Sequence, residues 1–213
     1  MRKYFIKLFA LFIILFSFKS TAFSINNKII IKVGNNVITS YELKNEITFL
    51  ILSKKREINQ IHINDAKPIA VQNLIRQKLK ENEIKKYSIK NYNKNDLDNI
   101  LKNISKLFDT DIKNLSNVMS GNGLDYDLLT NKYKTDLKWN SLIFLLYKDQ
   151  LTIDNYEIDL AIKSLLKDKK DSQINYTKIK NQLIERAKIE KLELFSRSHF
   201  TNIENSTLIK FNE

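Results

Sequence analysis

The chain has 213 residues and a formal net charge of +12, and it contains three glycines, one proline and no cysteine. Without cysteine, neither a disulfide nor a thiolate metal centre can hold the fold. The scarcity of glycine and proline favours helices over a fold rich in tight turns.

Lysine supplies 31 of the 36 basic residues, and asparagine and isoleucine are also frequent. This bias is typical of an AT-rich genome, whereas a nucleic-acid interface favours arginine-rich or aromatic-interleaved patches. We therefore expect no nucleic-acid partner. A mild basic field remains compatible with acidic polypeptides or anionic lipid headgroups.

The first 24 residues have the pattern of a secretory leader. Three basic residues in the first seven precede an apolar run over residues 8–18, and Ala22 and Ser24 supply small side chains at a cleavage site. The apolar run is about half of the roughly 20 residues that span a bilayer. We predict that residues 1–24 are a cleaved signal peptide and that the protein lies in the periplasm. An uncleaved inner-membrane anchor is the alternative.

A β-hairpin is predicted directly after the leader. Two β-like runs, residues 29–33 and 37–38, flank the sequence Gly-Asn-Asn at residues 34–36, and these residue types tolerate the positive φ of a tight turn. Thr39 and Glu42 then have the spacing of a capping box, which predicts a helix start.

Seven helices are predicted from helical periodicity and capping residues. In chain order they cover residues 40 to about 52, 65 to about 86, a stretch capped by Asn93 or Asn95, a short stretch from Asp109 or Thr110 to Gly121, residues 125–150, 155 to about 166, and 176 to about 197. Asp65 is expected to cap the second helix, with Pro68 in its first turn, after a polar loop over residues 54–64.

The chain ends in a short β-like run at residues 207–211. A two-stranded hairpin alone is marginal, so we expect this run to add a third strand. The predicted fold class is mainly α, a multi-helix core with a small β element formed by the N-terminal hairpin and the C-terminal strand.

The sequence offers no catalytic, cofactor-binding or metal-binding constellation. Its two histidines, His62 in the polar loop and His199 near the end, are far apart, and we expect His199 to be exposed or half-buried without a ligand role. Acid pairs such as Asp125 and Asp127 are better explained by helix capping and the helix dipole than by acid–base chemistry. We expect no enzyme activity and no cofactor.

Aromatic side chains concentrate on the fifth predicted helix. Its apolar residues begin as a stripe and cover all faces over residues 142–147, which predicts that this part is buried or covered by another element. Core packing is one interpretation, and an apolar groove that binds unfolded chains is the other. The candidate client-binding residues are Tyr126, Tyr133, Trp139, Phe144 and Tyr147.

Five segments, taken in order, resemble the N-terminal domain of SurA-type periplasmic chaperones over about residues 27–165. They are VGNNVITSYEL, PIAVQNLIRQKLKENEIKKYSI, NKNDLDNILKNI, FDTDIKNLSNVMSGNGLDYDLLTNKYKTDLKWNSLI and LTIDNYEIDLAI. The resemblance implies a chaperone domain over residues 25–166 and a linker over residues 167–175 in the place of the parvulin isomerase domains. It also implies a C-terminal helix and strand over residues 176–213 that pack on the same core.

The function implied by this resemblance is a periplasmic, ATP-independent holdase for unfolded outer-membrane or secreted polypeptides, without prolyl isomerase activity. No family site residue carries over, because client contacts in the family are spread over a groove. A membrane-tethered assembly or scaffold protein without chaperone activity is the alternative, and a truncated isomerase is a third. A homodimer that exchanges the terminal helix is also compatible with a long helix on a short charged linker.

Overall fold

The computed structural model describes residues 27–166 and 176–212, and it is mainly helical with one small antiparallel sheet. The predicted fold class is confirmed. The predicted signal peptide and the linker over residues 167–175 lie outside the described residues. The elements are β1 (Ile29–Val33), β2 (Asn36–Thr39), α1 (Ser40–Leu52), α2 (Gln60–Lys86), α3 (Lys94–Leu107), α4 (Leu115–Gly121), α5 (Tyr126–Tyr147), α6 (Asn155–Leu166), α7 (Tyr176–Ser206) and β3 (Ile209–Phe211).

The central strand of the sheet is β1, which brings the two ends of the described chain together. β2 pairs antiparallel with one of its edges, and β3 pairs antiparallel with the other. In the second pairing Val33 lies opposite Ile209 and Ile31 lies opposite Phe211. The C-terminal strand therefore completes the hairpin as the sequence predicts.

The tip of the hairpin rests on α2. Gly34 has φ +56° at the turn, in the left-handed region that glycine adopts without a steric cost. The Asn82 side chain donates a hydrogen bond to the Val33 carbonyl at 3.2 Å, and the Asn36 side chain donates one to the Lys78 carbonyl at 3.3 Å. These two hydrogen bonds fix the position of the sheet along the axis of α2.

The predicted capping box at the start of α1 is present. The Glu42 amide donates to Thr39 Oγ1 at 3.2 Å, and the Thr39 amide donates to the Glu42 carboxylate at 2.8 Å. The other oxygen of Glu42 accepts from Lys78 Nζ at 2.8 Å. One carboxylate thus caps α1 and also ties it to α2.

Apolar side chains form three main groups around α2 and α5. The first lies under the sheet, the second lies among α1, α3, α4 and α5, and the third lies where α5 meets the end of α2 and α7. The buried members of the third group are Ile84, Trp139, Leu142 and Ile143. This third group holds the C-terminal helix on the rest of the core.

Two helix boundaries differ from the predictions because capping and packing extend the helices. α2 begins at Gln60, since Asn59 accepts the His62 amide at 3.0 Å, so Pro68 lies inside the helix and not in its first turn. His62 is accordingly helical and not in a loop. α7 continues to Ser206, because Phe200 and Ile203 pack against the core and hold its last turns.

The short fourth helix also starts later than predicted, at Leu115. Residues 110–114 form turns, in which Asp111 accepts the Asn114 amide at 2.8 Å. No helix within residues 27–166 and 176–212 is long and apolar enough to cross a membrane.

A buried ion pair connects α1 to α5. Lys132 Nζ lies 2.6 Å from Glu46 Oε1, and both side chains are largely shielded from water. The Asn73 side chain of α2 donates to the same oxygen at 2.8 Å. Three helices therefore meet at one carboxylate, and its desolvation is compensated only while these donors are present.

We predict that Gly34→Ala lowers the free energy of unfolding by about 1–2 kcal/mol, because a side chain disfavours the left-handed conformation. A Cβ there would also lie 3.2 Å from the Asn82 side chain and 3.3 Å from that of Thr207. Urea unfolding followed by circular dichroism measures the change. Gly121→Ala is the control, since nothing lies within 4 Å of its added Cβ, and it should change stability by less than about 1 kcal/mol. Equal losses in the two variants would contradict the account of the turn.

We predict that Lys132→Ala lowers the free energy of unfolding by about 3 kcal/mol, because it leaves the buried Glu46 carboxylate without its cation. Lys55→Ala is the matched control. Lys55 pairs with Asp109 at 2.9 Å on the exposed surface, and its loss should cost less than about 1 kcal/mol. A loss at Lys132 no larger than the loss at Lys55 would show that Glu46 does not need its partner.

Candidate binding groove

The five predicted client-binding residues are divided between two parts of the core. Tyr126 and Tyr133 pack against the apolar group among α1, α3, α4 and α5. Trp139 and Tyr147 belong to the group beneath α7. Phe144 is in neither group, and its side chain is 52% exposed. The structure therefore does not gather the five on one surface, and their contact with a client stays a prediction.

Trp139 joins α5 to α7 from a buried position. Its indole Nε1 donates to Ser196 Oγ at 2.8 Å. Its ring lies edge-on to Phe200 and also contacts His199, with ring centroids 6.1 Å and 5.6 Å apart. The polar end and the apolar body of this side chain both fix the position of α7 on α5.

Tyr147 forms the second aromatic link between these helices. Its ring stacks on Phe195 with a centroid distance of 4.7 Å and an interplanar angle of 9°. Its hydroxyl lies 2.9 Å from His199 Nδ1, and His199 Nε2 lies 3.2 Å from the buried Glu83 carboxylate of α2. A carboxylate only accepts, so His199 Nε2 carries a proton toward Glu83. His199 is half-buried as expected, with partners on two other helices.

The expectation that residues 142–147 are covered on all faces is wrong for two of them. Leu142 and Ile143 are buried, whereas Phe144 and Leu145 are about half exposed. The helices α2 and α7 cover only part of the circumference of α5 at this level, as the packing of Ile84, Leu192 and Phe195 shows. An apolar surface therefore remains open near the end of α5.

A groove of about 480 Å³ lies between α5 and α7 beside this surface. α5 contributes Asn140 and the buried Ile143, and α7 contributes Ile189, Leu192, Glu193, Ser196 and Arg197. Phe144 follows Asn140 by one helical turn, but it is not among the residues that line the groove. The base of the groove is apolar, and its rim carries amide, hydroxyl and charged groups.

The groove continues into a shallow depression on the surface of α7, here called the shelf, which is lined by Asn181, Gln182, Glu185, Arg186, Ile189, Glu190 and Glu193. The shelf shares Ile189 and Glu193 with the groove and reaches back to Asn181. From Asn181 to Arg197 the helix advances about 24 Å, which matches about seven residues of extended polypeptide. Ile189 lies in the middle of this path, and 57% of its side chain is exposed.

Charges of both signs line the path. Arg186 Nε bonds to Glu190 at 2.9 Å and Lys188 bonds to Glu185 at 2.8 Å, and these pairs are exposed at the surface. Pairs of this kind contribute little to stability, and they can exchange partners with the polar groups of a bound chain. The mixed rim therefore favours no single charge in a ligand.

The groove is lined by few polar groups. Within the part of the chain that the structure describes, no three His, Asp or Glu residues are arranged to hold a metal ion. The groove offers an apolar base, one hydroxyl, one amide and two charged groups, and it contains no histidine. Such a surface can shield apolar side chains from water and bond to a peptide backbone.

Sequence reasoning missed the α7 residues of the groove. No motif singles out Ile189 and Leu192, because the apolar residues of this helix are distributed around its circumference and mark no single face. The distribution of apolar residues around α7 is itself a signal of an open surface. A long helix with apolar residues on several faces leaves some of them open unless its neighbours surround it, and none of the 31 residues of α7 is fully buried.

We predict that Tyr133 remains protonated in the folded protein under alkaline conditions that ionise an ordinary tyrosine. Burial raises the pKa of Tyr133 from 10.0 to about 12, and the carboxylates of Glu46 and Asp136 add to the shift. The unfolded chain then releases this proton first, so the stabilisation from Tyr133 is complete below pH 10.0 and is lost as the pH rises toward about 12.

Unfolding free energies measured across this range should therefore fall more steeply with pH for the wild type than for Tyr133→Phe. The tyrosinate absorbance of the folded wild type should exceed that of folded Tyr133→Phe only near the upper end of this range. Parallel stability curves for the two proteins would contradict the burial of this hydroxyl.

Comparison with protein-family models finds none that matches the chain, and comparison with curated proteins finds no match either.

Proposed function

We propose that the protein is a periplasmic, ATP-independent holdase that binds unfolded outer-membrane or other exported polypeptides in the groove between α5 and α7. The observation that carries this proposal is the groove itself. It has an apolar base, a rim of mixed charge and a half-exposed Ile189 at its middle. A soluble protein gains no stability from such a surface unless something covers it.

The proposed mechanism is the temporary burial of client side chains. An extended client places alternate side chains toward Ile143, Ile189 and Leu192, and each apolar group removed from water contributes about 25 cal/mol per Å². Because the groove is open along one side, few contacts are made at once. Affinity then comes from several weak contacts along the client, which permits rapid release without ATP.

The proposed periplasmic location rests on the predicted signal peptide. A chain carried out of the cytoplasm by residues 1–24 meets other exported polypeptides before they fold, in a compartment without ATP. The resemblance of residues 27–165 to SurA-type chaperones supports the same client class. The described helices and strands also agree with the proposal that the C-terminal segment packs on the N-terminal core.

The state of the leader distinguishes this proposal from the tethered scaffold. The protein is expressed with its own leader, and mass spectrometry determines its N-terminus. A start at Ile25 supports a released periplasmic protein, whereas an intact leader in the membrane fraction supports the tether. Sedimentation of the same sample reports whether two copies associate, as an exchange of α7 would require.

We predict that Ile189→Asp weakens client binding about tenfold, because it places a charge on the apolar path. The protein is mixed with a urea-unfolded outer-membrane β-barrel protein on dilution, and light scattering reports aggregation. Wild-type protein should suppress scattering near stoichiometric ratio and at high salt, since burial of apolar surface is not screened. The Ile189→Asp variant should need a correspondingly higher concentration.

Leu194→Asp is the matched control. Leu194 lies on the same helix with nearly the same exposure, 59% against 57%, but it is not part of the groove. Because Trp139 is the only tryptophan and bonds to Ser196 of the groove wall, its fluorescence reports folding and occupancy together. Equal suppression by both variants would exclude this groove as the client site, and absence of suppression by the wild type would exclude the holdase function.

A further inference from the structure

The outer edge of β3 presents unpaired backbone groups to the surface. The Gly34 amide donates to the Leu208 carbonyl at 3.0 Å, and the Asn212 amide donates to the Ile30 carbonyl at 2.8 Å. In an antiparallel pair these inward-facing residues alternate with outward-facing ones. The N–H and C=O groups of Ile209 and Phe211 therefore point away from β1. Across residues 27–166 and 176–212, no other group bonds to them.

β3 has two of the features that usually protect a sheet edge, a short length and a lysine at position 210, but it lacks two others. The strand contains no proline, and its pairing with β1 continues without a bulge from Ile209 to Phe211. Residues 27 and 28 leave the sheet on its other side, because the Ser40 amide donates to the Lys28 carbonyl and the Tyr41 amide donates to Asn27 Oδ1. The described N-terminal residues thus do not cover this edge.

Side chains around the edge are apolar on one face and basic on the other. Phe211 shares its face with the buried Ile31, but 67% of its own side chain is exposed. On the opposite face Lys210 lies directly across from Lys32, and neither lysine forms an ion pair among the described residues. Like charges directly opposite each other are unfavourable, and a facing carboxylate relieves the repulsion.

From this geometry we infer that the edge of β3 binds an extended polypeptide as a fourth strand. The outward N–H and C=O groups of Ile209 and Phe211 have the spacing that pairs with another strand. Lys32 and Lys210 favour an acidic residue in the bound strand, between two apolar residues. The apolar residues lie opposite Ile209 and Phe211, and the acidic residue lies opposite Lys210. The inference rests on the proposed function for its source of such chains, namely exported polypeptides that have not yet folded.

A second copy of this chain fits the edge less well. The antiparallel register that pairs all three residues of β3 with a second β3 puts Lys210 opposite Lys210, in the closer type of antiparallel pair. Four lysines, two from each copy, would then meet on one face. Lysine on an edge strand is a common barrier to such self-association.

The binding test uses a fluorescein-labelled peptide in which valines flank one glutamate and threonines form the ends. Fluorescence anisotropy measures its affinity for the wild-type protein. A peptide with N-methyl groups on both valine amides keeps the side chains but cannot pair as a strand on that side. A third peptide replaces the glutamate by lysine. We expect each change to weaken binding about tenfold.

Two variants at Phe211 separate the backbone from the side chain. Phe211→Pro removes the outward N–H and leaves the bonds to β1 in place, since proline is tolerated on an edge strand when its missing N–H faces solvent. Phe211→Ala removes only the ring. The proline variant should bind the glutamate peptide about tenfold more weakly, and the alanine variant should lose less.

Lys210→Glu adds a test that does not disturb the strand, because this side chain is exposed. The variant should prefer the lysine peptide to the glutamate peptide, the reverse of the wild type. Equal binding of the N-methylated peptide, an unchanged charge preference in Lys210→Glu, or equal affinities of the two Phe211 variants would each overturn the inference.

The outcomes also distinguish this inference from the proposed function. If Phe211→Pro suppresses client aggregation as the wild type does while Ile189→Asp fails, the groove function stands and the strand site is wrong. If the wild type self-associates, Phe211→Pro abolishes that association and no peptide binds, the edge pairs with a second copy and the inference is overturned.

Discussion

The pairing of β1 with β3 determines where α7 ends. These strands come from opposite ends of the described chain, yet Val33 lies opposite Ile209 and the strands share one buried face. A three-residue strand is too short to be stable alone. It is held because the Gly34 turn lies against Asn82 and Thr207, so α2, the hairpin and the end of α7 meet at one point. The site where α7 ends is thereby fixed, and with it the line that α7 follows past α5.

A second constraint acts on α7 from the side. Trp139 bonds to Ser196, Tyr147 stacks on Phe195, and His199 connects Tyr147 to Glu83. These contacts all lie on the C-terminal half of a 31-residue helix. Toward the N-terminus of α7, Asp159 of α6 accepts hydrogen bonds from Lys180 and Tyr176, and the bond from Lys180 is the main cause of the lowered pKa of Asp159. The helix is thus held by α5 and α2 in its C-terminal half and by α6 near its start.

Ser196 takes part both in the packing of the core and in the lining of the groove. Its hydroxyl accepts a hydrogen bond from the buried Trp139 indole, and the same side chain forms part of the groove wall.

Two buried carboxylates also connect helices through polar contacts. Glu46 meets donors from α2 and α5, and Glu83 meets His199 from α7, so each fixes how its helix faces the others. Polar groups of this kind select one arrangement among the many that apolar packing alone allows. A groove of defined shape depends on such selection, because the apolar contacts along α7 are too few to specify it.

The sequence by itself determined the features that depend on neighbouring residues. The capping box of Thr39 and Glu42, the Asp125 cap and the Gly34 turn each involve a few consecutive residues whose chemistry allows one local structure. The helix count and the three-stranded sheet followed from these signals. Only the tertiary structure decided that Pro68 lies within α2, that Trp139 is buried while Phe144 is exposed, and that Ile189 and Ser196 face Asn140 and Ile143 across a groove. The physical reason is distance along the chain. Whether an apolar side chain on a helix is covered depends on elements many residues away, and those elements are positioned by the pairing of β1 with β3.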